Sequence, residues 1–311
     1  MQEIFNFFPV KISKKINEYI NGQVDKGLNQ IEEIRFRNNN PIILKYNNKE
    51  QVLQEYTNSN DILEIMQRIC NNSIYSYQNQ ICNGYITIKG GHRVGITGNC
   101  VIENNKVINI NYISSLNFRI ARQVLGCSNK ILKDVLNIEN KSIYNTLIVS
   151  PPGVGKTTLL RDLIRNISTG IEEINFPGLN VGVVDERGEI ASLYRGIAQN
   201  DIGTRTDVLD NIPKVLGMKM LIRSMAPQVI CADEIGNSGD SEIIKEAFCS
   251  GIKGIFTAHG SSFKDILKNP ILKELLETNI IEKIIILDSQ GEKGKIKSIY
   301  ELIEENYKEA K

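Results

Sequence analysis

The segment SPPGVGKTTLLRDLIR, residues 150–165, constrains the fold more than any other part of the chain. The apolar run NTLIVS leads into it, and its second half has the apolar spacing of an amphipathic helix. Gly153 and Gly155 permit backbone conformations that other residues resist, so the chain can turn sharply between strand and helix. This order predicts a phosphate-binding loop, because the free amides at a helix N-terminus attract anions.

The side chains of this loop have expected roles in holding ATP and Mg²⁺. Lys156 carries the charge that reaches the β- and γ-phosphates, and the Thr157 hydroxyl is the expected metal ligand. The pattern G-x-x-x-x-G-K-[ST] begins with glycine, where this chain has the small residue Ser150. The predicted nucleotide-binding residues are Ser150, Pro151, Pro152, Gly153, Val154, Gly155, Lys156, Thr157 and Thr158.

Two later apolar runs end in the same acidic dipeptide. VICA is followed by Asp233 and Glu234, and VGVV is followed by Asp185 and Glu186. A carboxylate at the carboxyl end of a neighbouring strand suits the hydration shell of Mg²⁺, and an adjacent glutamate suits the activation of water. Asp233 is therefore the predicted metal-side carboxylate, whereas Glu234 and Glu186 both stay open as the catalytic base.

Histidine and arginine supply further candidates. KGIFTAH ends at His259, where a strand-end histidine can donate a hydrogen bond to a phosphate, whereas His92 lies in a predicted hairpin turn that favours a structural role. Phosphoryl transfer usually requires one more cation at the developing charge. The arginines that could supply this cation, none of which belongs to the glycine-rich loop, are Arg119, Arg122, Arg195, Arg205 and Arg223.

The remaining patterns predict two domains. Residues 1–122 combine alternating strand patterns with a helix at 59–70 and an extended connector at 111–122, which predicts a small α+β domain. From residue 145 onward, short apolar strands alternate with helical patterns, so residues 123–311 are expected to form an α/β domain around a parallel sheet. IEKIIILD and KIKSIYEL, joined by SQGEKG, predict a final hairpin.

Composition narrows the classes of function. A net charge of +1 and the absence of tryptophan argue against a protein that binds nucleic acid through basic surfaces and stacking aromatics. The apolar runs are far shorter than the ~20 residues that span a bilayer. The six cysteines form no C-x-x-C pair, which indicates reduced thiols. We expect a cytoplasmic protein that reaches a membrane only through a partner.

Together, these segments resemble the stage III sporulation protein AA family of spore-forming Firmicutes. That family is similar to the ATPases of type II secretion and type IV pilus machines. The resemblance spans about residues 30–260 and is carried by EEIRFR…PIIL, GYITIKGGHRVGITG, ISSLNFRIAR, SPPGVGKTTLLRDLIR, VVDERGEIA, GTRTDVLD…K…GM…IRSMAPQVICADEIG and GIFTAHG.

The resemblance implies a RecA-like P-loop core at 123–311 and a ring-packing N-terminal domain with its connector at 1–122. VVDERGE would correspond to the acidic box that brings Glu186 or Glu189 near the attacking water. VICADE would be the Walker B strand, and TAHG would be the histidine box. Many secretion ATPases carry Gly-Glu at the place of Asp233 and Glu234, so the identity of the base stays open.

The resemblance also implies partners and a biological role. Arg119 and Arg122 would lie in the connector whose arginines reach the nucleotide. The implied function is ATP hydrolysis that powers or assembles a channel between mother cell and forespore, by a homo-hexamer docked on a membrane-anchored channel protein in the mother-cell cytoplasm. Two alternatives stay open, namely a nucleic-acid-handling motor and a nucleotide-gated scaffold with little turnover.

Overall fold

The computed structural model describes residues 2–22, 31–47, 49–289, 294–304 and 306–310. The chain forms two units. The first comprises Met1–Arg122 together with Ser192–Gln199, and the second comprises Gln123–Ala191 and Asn200–Lys311. The joining residues 290–293 of the predicted final hairpin lie outside the described residues.

The first unit is an antiparallel sheet packed against helices. Its strands are β1 (Ile31–Arg37), β2 (Asn40–Tyr46), β3 (Lys49–Thr57), β4 (Tyr85–Thr87), β5 (Arg93–Glu103) and β6 (Lys106–Arg119), and its helices are α1 (Val10–Asn21), α2 (Ser59–Ile69) and α3 (Gln78–Cys82). The strand order is β3-β2-β1-β6-β5-β4. Short 3₁₀ helices cover Gln2–Phe7 and Ile74–Tyr77.

The prediction of a connector at 111–122 is wrong for most of that segment. Residues 111–119 continue β6, which lies between β1 and β5 in the sheet. Leu116 and Phe118 are buried, while Arg119 is exposed, as expected for a strand that has one face on the core. Phe118 packs edge-on against Phe8 and Phe36, so this stretch is part of the hydrophobic core.

The second unit is built on a larger, mostly parallel sheet. Its strands are β7 (Leu136–Asn137), β8 (Ser142–Ile143), β9 (Thr146–Ser150), β10 (Gly170–Ile171), β11 (Phe176–Pro177), β12 (Val181–Asp185), β13 (Thr206–Asp210), β14 (Val229–Ala232), β15 (Lys253–His259), β16 (Lys283–Leu287), β17 (Ile296–Ile303) and β18 (Asn306–Glu309). Its helices are α4 (Leu132–Val135), α5 (Lys156–Thr169), α6 (Lys214–Ser224), α7 (Asp240–Cys249), α8 (Phe263–Lys268) and α9 (Pro270–Glu277).

The order of the main sheet determines which strand ends become neighbours. The order is β13-β12-β14-β15-β9-β16-β17-β18, and the pairs from β13 to β16 are parallel. Strands β9, β12 and β14 are buried along their whole length, which is why they read as continuous apolar runs. The carboxyl ends of β12, β14, β15 and β9 therefore lie along one edge of the sheet.

Helix α6 approaches this sheet unusually closely. A Cβ atom on Gly217 would lie 2.6 Å from Cγ1 of Val184, so only glycine allows α6 to pack so tightly on β12. This packing brings the first residue of α6, Lys214, to the carboxyl end of β12. No helix among the described residues combines the length and the apolar character needed to cross a membrane.

Candidate nucleotide-binding site

The glycine-rich loop connects β9 to α5. Gly153 and Gly155 have φ angles of 77° and 111°, a left-handed region that favours glycine. Gly155 is the N-cap of α5 and has no side chain to bond the amides of the first turn. Those amides stay available to an anion at the positive end of the helix.

Ser150 occupies the place where the phosphate-loop pattern has glycine. Its side chain is fully buried at the end of β9, and its hydroxyl donates to the carbonyl oxygen of Pro151 at 2.9 Å. The hydroxyl therefore satisfies its hydrogen bond inside the turn. Serine therefore fits this position as a buried residue at the end of β9.

Asp233 follows β14 and contacts the first turn of α5. The Thr157 hydroxyl donates to Oδ2 of Asp233 at 2.5 Å, and the Thr257 hydroxyl donates to Oδ1. Burial raises the pKa of Asp233, and the two hydroxyl hydrogen bonds offset that rise only in part. Two oxygens able to ligate a metal, one from Thr157 in the first turn of α5 and one from Asp233 after β14, thus meet at one point.

The Glu234 carboxylate lies among the side chains of Lys156, Arg187 and His259. Its Oε1 lies 3.3 Å from Nζ of Lys156 and 3.1 Å from Nε2 of His259, and its Oε2 lies 2.8 Å from a terminal nitrogen of Arg187. Burial alone would raise the pKa of Glu234, but the neighbouring charges of Lys156, Arg187 and His259 outweigh it and hold the pKa below its ordinary value. The carboxylate is therefore ionised at neutral pH.

The backbone at Glu234 is in the left-handed region, with φ of 56°. Its amide donates to the Thr257 hydroxyl at 2.8 Å, which fixes this conformation. A glutamate in this region is strained, and such strain is found disproportionately where a side chain must point in one direction. The Glu234 side chain meets Lys156, whose side chain is almost entirely buried and lies 3.3 Å from Nδ1 of His259.

Asp185, at the end of β12, has a different environment. It is buried, and its carboxylate accepts hydrogen bonds from the amides of Glu189, Ile190 and Ala191 at 2.7–3.0 Å. Arg161 of α5 donates to the carbonyl oxygens of Glu189 and Ile190 at 2.6 and 2.8 Å. Asp185 therefore organises the turn that follows its strand.

Glu186 and Lys214 form a short ion pair beside this turn. Their charged atoms lie 2.5 Å apart, and the Lys214 side chain is buried whereas Glu186 is partly exposed. A small cavity of about 20 Å³ connects this pair to the Asp233–Glu234 strand end, and its lining residues are Asp185, Glu186, Arg187, Glu189, Lys214, Asp233 and Glu234. The two acidic dipeptides thus line a common cavity.

The structure brings Lys156, Thr157, Asp233, Glu234 and His259 together in the second unit. Glu186 lines the same cavity as Glu234 but is paired with Lys214, whereas Arg119 and Arg122 belong to the first unit. Arg119 ends β6 on the sheet surface, and Arg122 donates to the carbonyl oxygen of Ile31 at 2.8 Å.

Several residues of this cluster were not among the sequence candidates. Thr257 is a polar residue inside an apolar strand, and that contrast is a signal that sequence reasoning can use. Arg187 directly follows the acidic dipeptide, but nothing local distinguishes it from a surface arginine. Lys214 reaches the site only because α6 packs on β12, and no local pattern reveals that contact.

The model of the family described as "Sporulation stage III, protein AA" matches residues 1–306. Stage III sporulation protein AA of Bacillus subtilis is 40% identical over 301 residues, which cover 97% of this chain and 95% of that protein.

Solved structures support the same fold at much lower identity. The Legionella pneumophila ATPase DotB has 15% identity and a TM-score of 0.56, covering 90% of this chain and 76% of that one. The pilus retraction motor PilT, solved with ADP, has 13% identity and a TM-score of 0.58, covering 88% and 77%. The prediction of an α/β fold with a RecA-like P-loop core is confirmed.

Proposed function

This chain belongs to the sporulation stage III protein AA family, and we propose that it is an ATPase that binds ATP with Mg²⁺ at residues 150–158. The observation that carries the proposal is the convergence of two strand ends, those of β14 and β15, on the glycine-rich loop. Lys156 at the loop, Asp233 and Glu234 after β14, and His259 at the end of β15 meet within hydrogen-bonding distance of one another or of Thr157. That arrangement has no evident purpose in a purely structural turn.

The residues present fit a magnesium ion that is bound together with nucleotide phosphates. No group of three or more His, Cys, Asp or Glu side chains in the described ranges would hold a metal unaided. Mg²⁺ at phosphates needs few protein ligands and prefers oxygen, and the Thr157 hydroxyl and Asp233 carboxylate supply two oxygens at one point. When bound, Mg²⁺ would neutralise charge that develops on the phosphates.

The chain's own groups would then share the work of hydrolysis. The amides of the first turn of α5 and the Lys156 ammonium bind the β- and γ-phosphates. The ionised Glu234 carboxylate accepts a proton from the attacking water at one of its oxygens as the water oxygen bonds to the γ-phosphorus. The bond from that phosphorus to the β–γ bridging oxygen breaks, which releases ADP. His259, already beside Glu234 and Lys156, donates a hydrogen bond to the transferred phosphate.

The finer biological role extends the same proposal. The secretion and pilus motors share the fold, and the family is named for a stage of sporulation. We therefore propose that hydrolysis powers or assembles a channel between mother cell and forespore. In this proposal the protein acts as a homo-hexamer at a membrane-anchored partner in the mother-cell cytoplasm. Arg119 or Arg122 would then contact the nucleotide bound by a neighbouring subunit.

The test compares Lys156→Ala with Lys219→Ala, which removes an exposed lysine from α6. Lys156→Ala should weaken Mg·ATP binding by about 100-fold, since a charge-assisted contact to the phosphates is lost, and should abolish turnover. Lys219→Ala should behave as the wild type. Calorimetric titration and phosphate release measure the two quantities.

Each other outcome has a definite meaning. Unchanged affinity in Lys156→Ala would overturn the assignment of the loop. Tight binding by the wild type without turnover, even in the presence of its membrane partner, would replace the ATPase with a nucleotide-gated scaffold. Turnover that rises with single-stranded nucleic acid and is lost as salt increases would favour the nucleic-acid motor.

A further inference from the structure

Arg187 contacts the carboxylate to which the proposed function assigns proton abstraction. It lies two residues beyond β12, its side chain is 66% exposed, and its guanidinium lies 2.8 Å from Oε2 of Glu234. It lines two cavities. One is the small cavity shared with Lys214, and the other, of about 230 Å³, is also lined by Glu234, His259, Asn237 and Asn269.

The two oxygens of Glu234 have different partners. Oε1 faces Lys156 and His259, whereas Oε2 faces Arg187. A bound triphosphate would attract the Lys156 ammonium, since a triphosphate carries far more negative charge than one carboxylate. Once Lys156 and His259 both engage the phosphates, Oε1 is free to accept a proton, and the contact of Oε2 with Arg187 persists.

The backbone of Glu234 is already fixed by its left-handed conformation and by the hydrogen bond from its amide to Thr257. The direction of the carboxylate is set only by the side-chain torsions and by the groups that hold its oxygens. Of the three side chains around it, Lys156 and His259 are the two that the proposed function assigns to the phosphates, so Arg187 is the one that stays with the carboxylate. A guanidinium nitrogen 2.8 Å from Oε2 is well placed to hold the remaining orientation.

We propose that Arg187 is the positioning residue that holds Glu234 through Oε2 while Lys156 is engaged by the phosphates. The proposal rests on the proposed function, and it adds a residue supplied in cis by the acidic turn after β12. Arg187 does not touch the reacting atoms in this account. It keeps Oε1 aimed at the attacking water, so its effect is expected on kcat rather than on nucleotide affinity.

The experiment compares Arg187→Gln with Arg187→Lys and with Arg35→Gln. The last change removes an Arg–Glu ion pair of 2.6 Å from the surface of the first unit. Arg187→Gln should lower kcat by about 10- to 100-fold with KM for ATP nearly unchanged, because misplacing a catalytic group costs rate and not binding. Arg187→Lys should restore most of the loss, and Arg35→Gln should leave both constants at the wild-type values.

A double variant sharpens the test. In a Glu234→Gln background, Arg187→Gln should have no further effect, because the group that it positions is gone. Three outcomes would each overturn the inference. The first is a wild-type kcat in Arg187→Gln, and the second is a parallel change in kcat and KM that lysine does not rescue. The third is a full additional loss of kcat in the double variant. An inactive wild-type protein would instead overturn the proposed function, so the two failures can be distinguished.

Discussion

The ends of β12 and β14 carry the same dipeptide in the same position on neighbouring parallel strands, yet the structure uses them differently. The Asp185 carboxylate accepts hydrogen bonds from three backbone amides, whereas the Asp233 carboxylate accepts hydrogen bonds from the hydroxyls of Thr157 and Thr257. Identical residues at equivalent positions therefore acquire separate roles from their surroundings.

The glutamates differ in the same way. Glu186 has the buried cation Lys214 as its close partner, while Glu234 is shared among Lys156, His259 and Arg187. Only Glu234 is connected directly to the lysine of the glycine-rich loop. The comparison favours Glu234 as the base and gives Glu186 a supporting position beside the same cavity.

The largest expected difference between the two strand ends is in their contribution to the free energy of unfolding. Asp185→Asn should lower the free energy of unfolding by about 2–3 kcal/mol, because one carboxylate oxygen that accepts buried amides is replaced by an amide group that cannot accept. Denaturant unfolding measures the change. Asp233→Asn is the matched control, and an equal loss in both variants would mean that the two aspartates have the same structural role.

A smaller effect should appear in the pH dependence of stability. Because the pKa of Asp233 is raised in the folded protein, its stabilising contribution is complete below the ordinary pKa of about 3.8 and is lost as pH rises through the folded pKa. Ionised Asp233 therefore opposes folding at neutral pH. Asp233→Asn should be more stable than the wild type by on the order of 1 kcal/mol at pH 7.

The free energies of unfolding of the wild type and Asp233→Asn should become equal as the solution becomes acidic. Well below the ordinary pKa of about 3.8, the wild-type carboxyl binds its proton in both the folded and the unfolded state, and the difference in unfolding free energy should vanish. Thermal unfolding followed at several pH values measures it. A variant that is less stable at pH 7, or a difference that is independent of pH, would contradict the environment described for Asp233.

Local patterns explain which parts of this architecture can be predicted from the sequence. The runs that became β9, β12, β14 and β15 are short and apolar because their strands are buried on both faces, and the helix after the loop has its own apolar stripe. Strand β13 was missed, since TDVLD carries two aspartates and lies half-buried at the sheet edge.

Tertiary packing explains the rest. Lys214 meets Glu186 only because Gly217 lets α6 lie close to β12, and no local signal encodes that approach. Ser192–Gln199 belongs to the first unit although its sequence neighbours belong to the second, and nothing in its composition indicates this. The residues at strand ends could be listed from the sequence, but their partners could not.

The most direct test of the central claim is turnover by Glu234→Gln and Glu186→Gln, measured side by side at saturating Mg·ATP. The account predicts that Glu234→Gln retains nucleotide affinity and loses about 100-fold or more in kcat, because the proton acceptor is removed, while Glu186→Gln loses less than about tenfold. Full activity in Glu234→Gln together with an inactive Glu186→Gln would contradict the account and move the catalytic base to the end of β12.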